Sequence, residues 1–247
     1  TFNKIKLSNV FFKYESNKEY LFKKLNLEIS KNKSIAFIGP SGSGKSTIAN
    51  LICLILKPNR GKILIDNIDS CNIDIYKWRN QIGYVSQEMA IFNNTIAYNI
   101  SLKNEDYYTK ETLLKIKDAA KKANIHNFIL NLPDGYYTKV GDQGIRLSGG
   151  QKQRLFIARE LFRKPKILIL DEATSSLDTL SEKSIKKSIN ALKGKVTIIL
   201  IAHRLSTIKD CDYLYVIANG EILENGTYND LYKNKDSFLN NLILSQK

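Results

Sequence analysis

Nowhere in these 247 residues does an apolar segment approach the roughly 20 residues that a helix needs to span a bilayer. The apolar stretches are short, such as Ile167 to Leu170 and Val196 to Ala202, so the polypeptide as it stands is expected to be soluble. A signal peptide is not expected either. Thr1-Phe2-Asn3-Lys4 leads into an alternating pattern rather than an apolar core segment. Thr1 is not an initiator Met, which suggests a fragment of something longer. Cysteine is scarce. Cys53, Cys71 and Cys211 are an odd trio without close spacing, which excludes a disulfide framework and a zinc site and suits a reducing cytosol. Two histidines, His126 and His203, are too few for a histidine-based metal cluster, and His126 reads as a surface residue. There is no internal repeat and no low-complexity linker.

What is present is ordinary globular composition, 43% hydrophobic and 25% charged, in a chain large enough for a sizeable core. The net charge of +14 raises nucleic acid or an anionic membrane as partners. The lysines, however, are spread over the whole length. Asn and Ile are also plentiful, so the charge reads as the composition of an AT-rich genome rather than a binding patch.

Ile5 to Phe12 alternates as a strand. Ser34 to Ile38 is a short apolar run that ends at Gly39, as a buried strand entering a turn would. Ile48, Leu51, Ile52 and Ile55 have helical spacing from about Lys45, and Pro58 and Gly61 stop that helix. Strands are predicted at Lys62–Ile65 and Gln81–Val85. From about Glu88 to Arg163 the pattern is mostly helical, at Lys110–Ala123, Asn127–Asn131 and Gly149–Phe162, with a turn-rich stretch over Leu132 to Gly144. Strands resume at Lys166–Leu170 and Val196–Ile201 around a helix from about Ser181 to Leu192. Asn219-Gly220 joins Tyr213–Ile217 to Glu221–Glu224 as a hairpin, and Tyr228 to Leu244 is predicted as a helix. Alternating strands and helices imply an α/β core with a largely parallel sheet, whose ligands bind beyond the carboxyl ends of the strands. Gly39 falls at such an end.

Three motifs carry chemistry. Gly39-Pro40-Ser41-Gly42-Ser43-Gly44-Lys45-Ser46-Thr47 matches the P-loop pattern in full. Its glycines let successive N–H groups point inward as an anion nest, and the following helix adds its positive end. Lys45 supplies a cation for the β- and γ-phosphates, and the Ser46 hydroxyl can ligate Mg²⁺. Ile167 to Leu170 is a buried strand that ends in Asp171-Glu172. Asp171 can hold Mg²⁺, and Glu172 can polarise an attacking water. Alone, the pair reads equally well as a solvated acidic cap. Leu147-Ser148-Gly149-Gly150-Gln151 opens a helix, with Ser148 at the N-cap and two glycines that admit close approach of an anion. Alone, it reads as an ordinary helix start.

In this order and at about this spacing, the three motifs resemble the nucleotide-binding domain of an ATP-binding cassette (ABC) protein over essentially the whole chain. The resemblance implies an α/β RecA-like P-loop NTPase core with an N-terminal antiparallel β-subdomain and an inserted α-helical subdomain. Residues 1–247 would form a single domain, with 1–87 and 164–247 as the core and β-subdomain and 88–163 as the helical insertion. It implies ATP and Mg²⁺ as ligands, with Ser46, Gln87 and Asp171 toward the metal. Tyr14 resembles the residue that stacks on adenine. Gln87 resembles the Q-loop glutamine, Ser175-Ser176-Leu177-Asp178 the D-loop, and His203 the switch histidine near the γ-phosphate. Glu172, His203 and Gln87 would form the catalytic set. The implied partner is a second ABC domain, expected to be an identical copy, bound head to tail so that each ATP sits between one P-loop and the other copy's Leu147–Gln151.

Ile91 to Ile100 and Thr138 to Gly144 resemble exporter segments, as does Tyr14, although Lys139 stands where that family usually has Glu. The expectation is therefore an exporter's ATPase domain at the cytoplasmic face of the inner (cell) membrane, with its transmembrane domain N-terminal to this chain and no nucleic acid as partner. The rival is a soluble nucleic-acid- or ribosome-associated ABC ATPase. No heptad stretch like that of chromosome-type members lies between Thr47 and Leu147, and one cassette is present where ribosome-associated members usually carry two. A non-catalytic cassette is disfavoured by the presence of Glu172, Gln87 and His203. The transported substrate is not readable here.

Overall fold

The computed structural model describes residues 2–86, 89–142, 145–171, 179–202, 205–234 and 237–245. In chain order the elements are β1 (Lys4–Phe12), β2 (Phe22–Ser30), β3 (Ser34–Ile38), α1 (Lys45–Ile52), β4 (Arg60–Ile65), β5 (Ile68–Asp69), α2 (Ile75–Arg79), β6 (Ile82–Val85), β7 (Asn94–Thr95), α3 (Ile96–Ser101), α4 (Lys110–Lys122) and α5 (His126–Leu130). They continue with β8 (Lys139–Val140), α6 (Gly149–Phe162), β9 (Ile167–Asp171), α7 (Thr179–Leu192), β10 (Thr197–Ile201), α8 (Leu205–Ile208), β11 (Tyr213–Ala218), β12 (Glu221–Gly226), α9 (Tyr228–Lys233) and α10 (Phe238–Ser245). No helix among the described residues is long and apolar enough to cross a membrane.

Two main sheets organise the chain. The first has four strands in the order β2-β1-β4-β5, all antiparallel. The second has six in the order β12-β11-β3-β10-β9-β6, parallel except for the β11–β12 hairpin. This is the expected α/β class, with an antiparallel β-sheet beside it and helices inserted between β6 and β9. The central strands read as continuous apolar runs because both faces of the sheet are covered. Ile35, Phe37, Ile167, Ile169, Ile199 and Ile201 pack toward α1 and the first sheet. Ala36, Ile38, Leu168, Leu170, Ile198 and Leu200 pack toward α3, α4, α6 and α7.

The tail of α1 is tied down by α2. Trp78, 2% exposed, donates from Nε1 to Ile52 O at 2.9 Å, and Arg79 donates to the carbonyls of Cys53 and Leu54. These side chains satisfy carbonyls that a helix end leaves without intrahelical partners. Trp78→Phe would strip the indole donor and leave a small void. It is expected to cost about 2–3 kcal/mol, read as a lower urea midpoint at unchanged slope.

Two departures from the pattern have local causes. The strand β2 escapes simple alternation because the register against β1 shifts between Phe22 and Leu25, with Lys24 at φ 66. The single helix predicted over Tyr228 to Leu244 is two. Asn240 Nδ2 donates to the carbonyls of Tyr232 and Asn234, and Ser237 Oγ accepts from Asn240 N, so side chains close one helix and cap the next. His126 is half-buried, and its Nδ1 lies 2.7 Å from Tyr136 Oη. Burial raises the thiols of Cys53 and Cys211 to about 12, which makes them poor nucleophiles.

Candidate functional site

The loop from Gly39 to Gly44 leaves the carboxyl end of β3 and enters α1 at Lys45. Gly39 has φ 151, and a Cβ there would lie 1.9 Å from Ile217 O on the adjacent strand β11. Gly44 has φ 100, and its Cβ would meet the Phe22 ring at 2.5 Å. The two glycines therefore let the loop pass between neighbours that no side chain could share. Lys45 folds back over the loop it begins. Its Nζ donates to Gly39 O at 2.9 Å and Pro40 O at 2.7 Å, with Ser43 Oγ at 3.5 Å, and the residue is only 5% exposed. A cavity of about 360 Å³ lies over this loop, lined by Ser41, Gly42, Gly44, Lys45, Ser46 and Thr47 and bounded by Tyr14, Asn17 and Leu21.

Tyr14 is half-exposed at the rim of that cavity. Its hydroxyl lies 2.8 Å from Thr47 Oγ1, and Phe12 meets its ring edge-on at 5.0 Å. Thus the ring is fixed at both its polar tip and its edge. The position suits a planar base above the loop.

The second motif converges on the first across 125 residues of sequence: Ser46 Oγ donates to Asp171 Oδ1 at 3.2 Å. In the parallel register Asp171 pairs with Ile201, which pairs with Phe37 just before the loop. All three residues thus stand at the same end of the sheet. Tyr84, on β6 next to β9, donates to the other carboxylate oxygen, Asp171 Oδ2, at 2.8 Å. Burial, reinforced by the adjacent carboxylate, pushes this phenol well above its ordinary range and keeps it a donor. No motif flagged Tyr84, because its value depends on the β6–β9 pairing.

Ser46 and Asp171 are hard oxygen donors side by side, the chemistry a divalent ion such as Mg²⁺ selects. No group of three or more His, Cys, Asp or Glu that could hold a metal occurs among the described residues. An ion here would complete its shell with phosphate and water oxygens, as Mg²⁺ characteristically does.

The third motif forms the start of α6. Ser148 and Gln151 make a reciprocal capping box: Ser148 N donates to Gln151 Oε1 at 2.8 Å, and Gln151 N to Ser148 Oγ at 3.3 Å. Leu147 and Gly150 are buried, whereas Ser148 and Gly149 are exposed. A cavity of about 440 Å³ beside Leu147 shares no lining residue with the cavity over the P-loop. Within one copy the two motifs therefore line separate hollows. Further along α6, Arg159 is buried between the rings of Phe92 and Phe156 and donates to Asn99 O, Asn99 Oδ1 and Ala90 O. It ties residues 90–99 to the helix. Gln87, Glu172, Ser175, Ser176, Leu177, Asp178 and His203 lie outside the described residues.

Comparison with known proteins agrees with this geometry. Residues 22–175 match the family model described as ABC transporter. ABC transporter B family member 14 of Arabidopsis thaliana is 46% identical over 228 residues, covering 92% of this chain and 18% of its own length. A Staphylococcus aureus protein named for multidrug export, an ATP-binding/permease protein, is 44% identical over 235 residues, covering 95% of this chain and 40% of its own length. The chain thus spans less than half of these relatives. Among solved structures, a bacterial Atm1-family ABC exporter with ATP bound superposes with a TM-score of 0.88 at 39% identity, covering 100% of this chain and 42% of the other. On the family match, the relatives and the shared fold together, the chain belongs to the ABC transporter family.

Proposed function

We propose that this chain is the ATP-binding and ATP-hydrolysing domain of an exporter, which closes head to tail on a second copy around two ATP. The observation that carries the reading is the 3.2 Å pairing of Ser46 with Asp171 beneath a full P-loop. It joins a phosphate nest to a metal-holding carboxylate.

Each residue has a task in this scheme. The backbone N–H groups of Gly39 to Thr47 and the head of α1 hold the phosphates. Lys45 exchanges its carbonyl acceptors for phosphate oxygens, and Tyr14 stacks on the adenine. Ser46 and Asp171 would hold Mg²⁺, with Gln87 as a further ligand. When bound, the ion neutralises charge that develops on the transferred phosphoryl group. Glu172 polarises the attacking water, and His203 senses the γ-phosphate. The Leu147–Gln151 segment completes the site from the other copy, and Ser175 to Asp178 serve as the D-loop. The Ser148 hydroxyl accepts from Gln151 N and so keeps its own proton for an anion facing it. The separate hollows beside the P-loop and Leu147 support a site shared between two copies.

Residues 88–163 act as the helical unit that carries Leu147–Gln151, and residues 1–87 with 164–247 as the core. A transmembrane domain in the same transporter would place the chain at the cytoplasmic face of the inner (cell) membrane. The relatives are named for transport and export, which favours this role over one on nucleic acid.

Two measurements test the reading. Basal Mg²⁺-dependent ATPase activity is expected to rise more than linearly with protein concentration, and no activity at any concentration would refute it. Glu172→Gln is expected to trap an ATP-bound dimer on size exclusion, since the base is lost while the binding groups stay. A variant that remains monomeric with saturating ATP would take Glu172 out of that role.

A further inference from the structure

Asp171 is bonded at both oxygens, one by the P-loop and one by a residue that belongs to no motif. A carboxylate rotates readily about its last torsion, which is broad and two-fold. Bonds to each oxygen from different elements, α1 and β6, hold it in one orientation. Tyr84 reaches Asp171 because β6 and β9 run parallel in a register that sets Tyr84 beside Ile169, two residues before the aspartate. The side chains at 169 and 171 point to the same face of a strand. Ile169 packs in the core on the α1 side, and Tyr84 packs against that same core. Its neighbours on the strand, Ile82 and Val85, are buried and apolar. A phenol in such a place carries a desolvation cost that Phe or Val would avoid. The bond its hydroxyl makes here is to the carboxylate.

We propose that Tyr84 is a positioning residue for the divalent ion: by engaging Oδ2 it turns Oδ1 toward Ser46, so that Asp171 offers one pre-aimed oxygen. The assignment rests on the nucleotide-binding reading above. Outer-shell donors of this kind typically contribute 10- to 100-fold to metal affinity by fixing their ligand's orientation.

Tyr84→Phe removes the hydroxyl and keeps the ring. The test follows a fluorescent ATP analogue binding to the whole chain, first in EDTA and then during a Mg²⁺ titration. The half-saturating Mg²⁺ concentration is expected to rise about tenfold, while affinity in EDTA stays unchanged. An unchanged Mg²⁺ titration would overturn the assignment. So would an equal loss of affinity with and without Mg²⁺, or a variant that does not fold, since either result gives the hydroxyl to the scaffold instead. If the parent chain binds no ATP analogue in either condition, it is the nucleotide-binding reading that fails, and with it this one.

Discussion

Lys45→Ala is expected to weaken ATP binding by at least ~100-fold and to silence hydrolysis, with little change in folding. The ammonium sits 5% exposed against the carbonyls of Gly39 and Pro40. It has therefore already left water. Moving it from neutral carbonyls to anionic phosphate oxygens adds Coulomb energy without a second large desolvation cost. Hydrogen bonds to charged groups contribute about 1.5–3 kcal/mol each, so two of them amount to roughly 3 kcal/mol or more, and each 1.4 kcal/mol is tenfold in affinity. Lys45→Arg is not expected to rescue binding. The planar guanidinium has a different shape and reach from a point-like ammonium curled within its own loop. A fluorescent ATP analogue titrated against each variant, beside a thermal melt, checks both statements. Parent-like affinity in the alanine variant would remove Lys45 from the phosphate site.

Gly39→Ala is expected to cost roughly 3–5 kcal/mol, from backbone strain and overpacking together. For a chain of this size that lowers the melting temperature by about 10 °C. The cause is local: at φ 151 the added methyl would lie 1.9 Å from Ile217 O. That atom belongs to the buried strand β11, which pairs with β3 immediately before the loop. Neither backbone can step aside without opening the sheet. Gly42→Ala is the matching control. It also has positive φ, at 77, but a Cβ there meets nothing within 4 Å, so the expected loss is only about 1 kcal/mol. Calorimetry on the pair separates close approach from mere membership of the motif. Equal losses would show that the Ile217 contact is not what requires Gly39.

How far such details can be read from residue order depends on how local their causes are. The bounds of β3 and α6 and the start of α1 are legible because each has a sharp stop or cap nearby: Gly39, and Ser148 with Gln151 three residues on. The end of α1 is not: the helix predicted through Ile55 stops at Ile52, where Leu54 turns to φ 55 and leaves Ile55 exposed. The Asn219-Gly220 turn is equally local, and β11 and β12 pair around it. The P-loop and Asp171 are legible as motifs, yet their meeting is not, since it depends on the β9-β10-β3 order of the sheet. Tyr84 is harder still. Nothing in Ile82-Gly83-Tyr84-Val85 marks the tyrosine until β6 is placed beside β9. The same holds for Arg159, which meets Asn99 across 60 residues. The break between α9 and α10 is not legible in residue order because two polar side chains, Ser237 and Asn240, make it together with the carbonyls of Tyr232 and Asn234.

The clamp that Trp78 and Arg79 place on the end of α1 has a mechanical consequence. The helix is eight residues, about 12 Å of rigid rod. Its head is the phosphate loop and its tail is held at three consecutive carbonyls. A rod gripped at its far end transmits displacement with no slack, so whatever shifts α2 shifts the loop with it. Tyr76, the second residue of α2 and 83% exposed, gives that lever a handle at the surface.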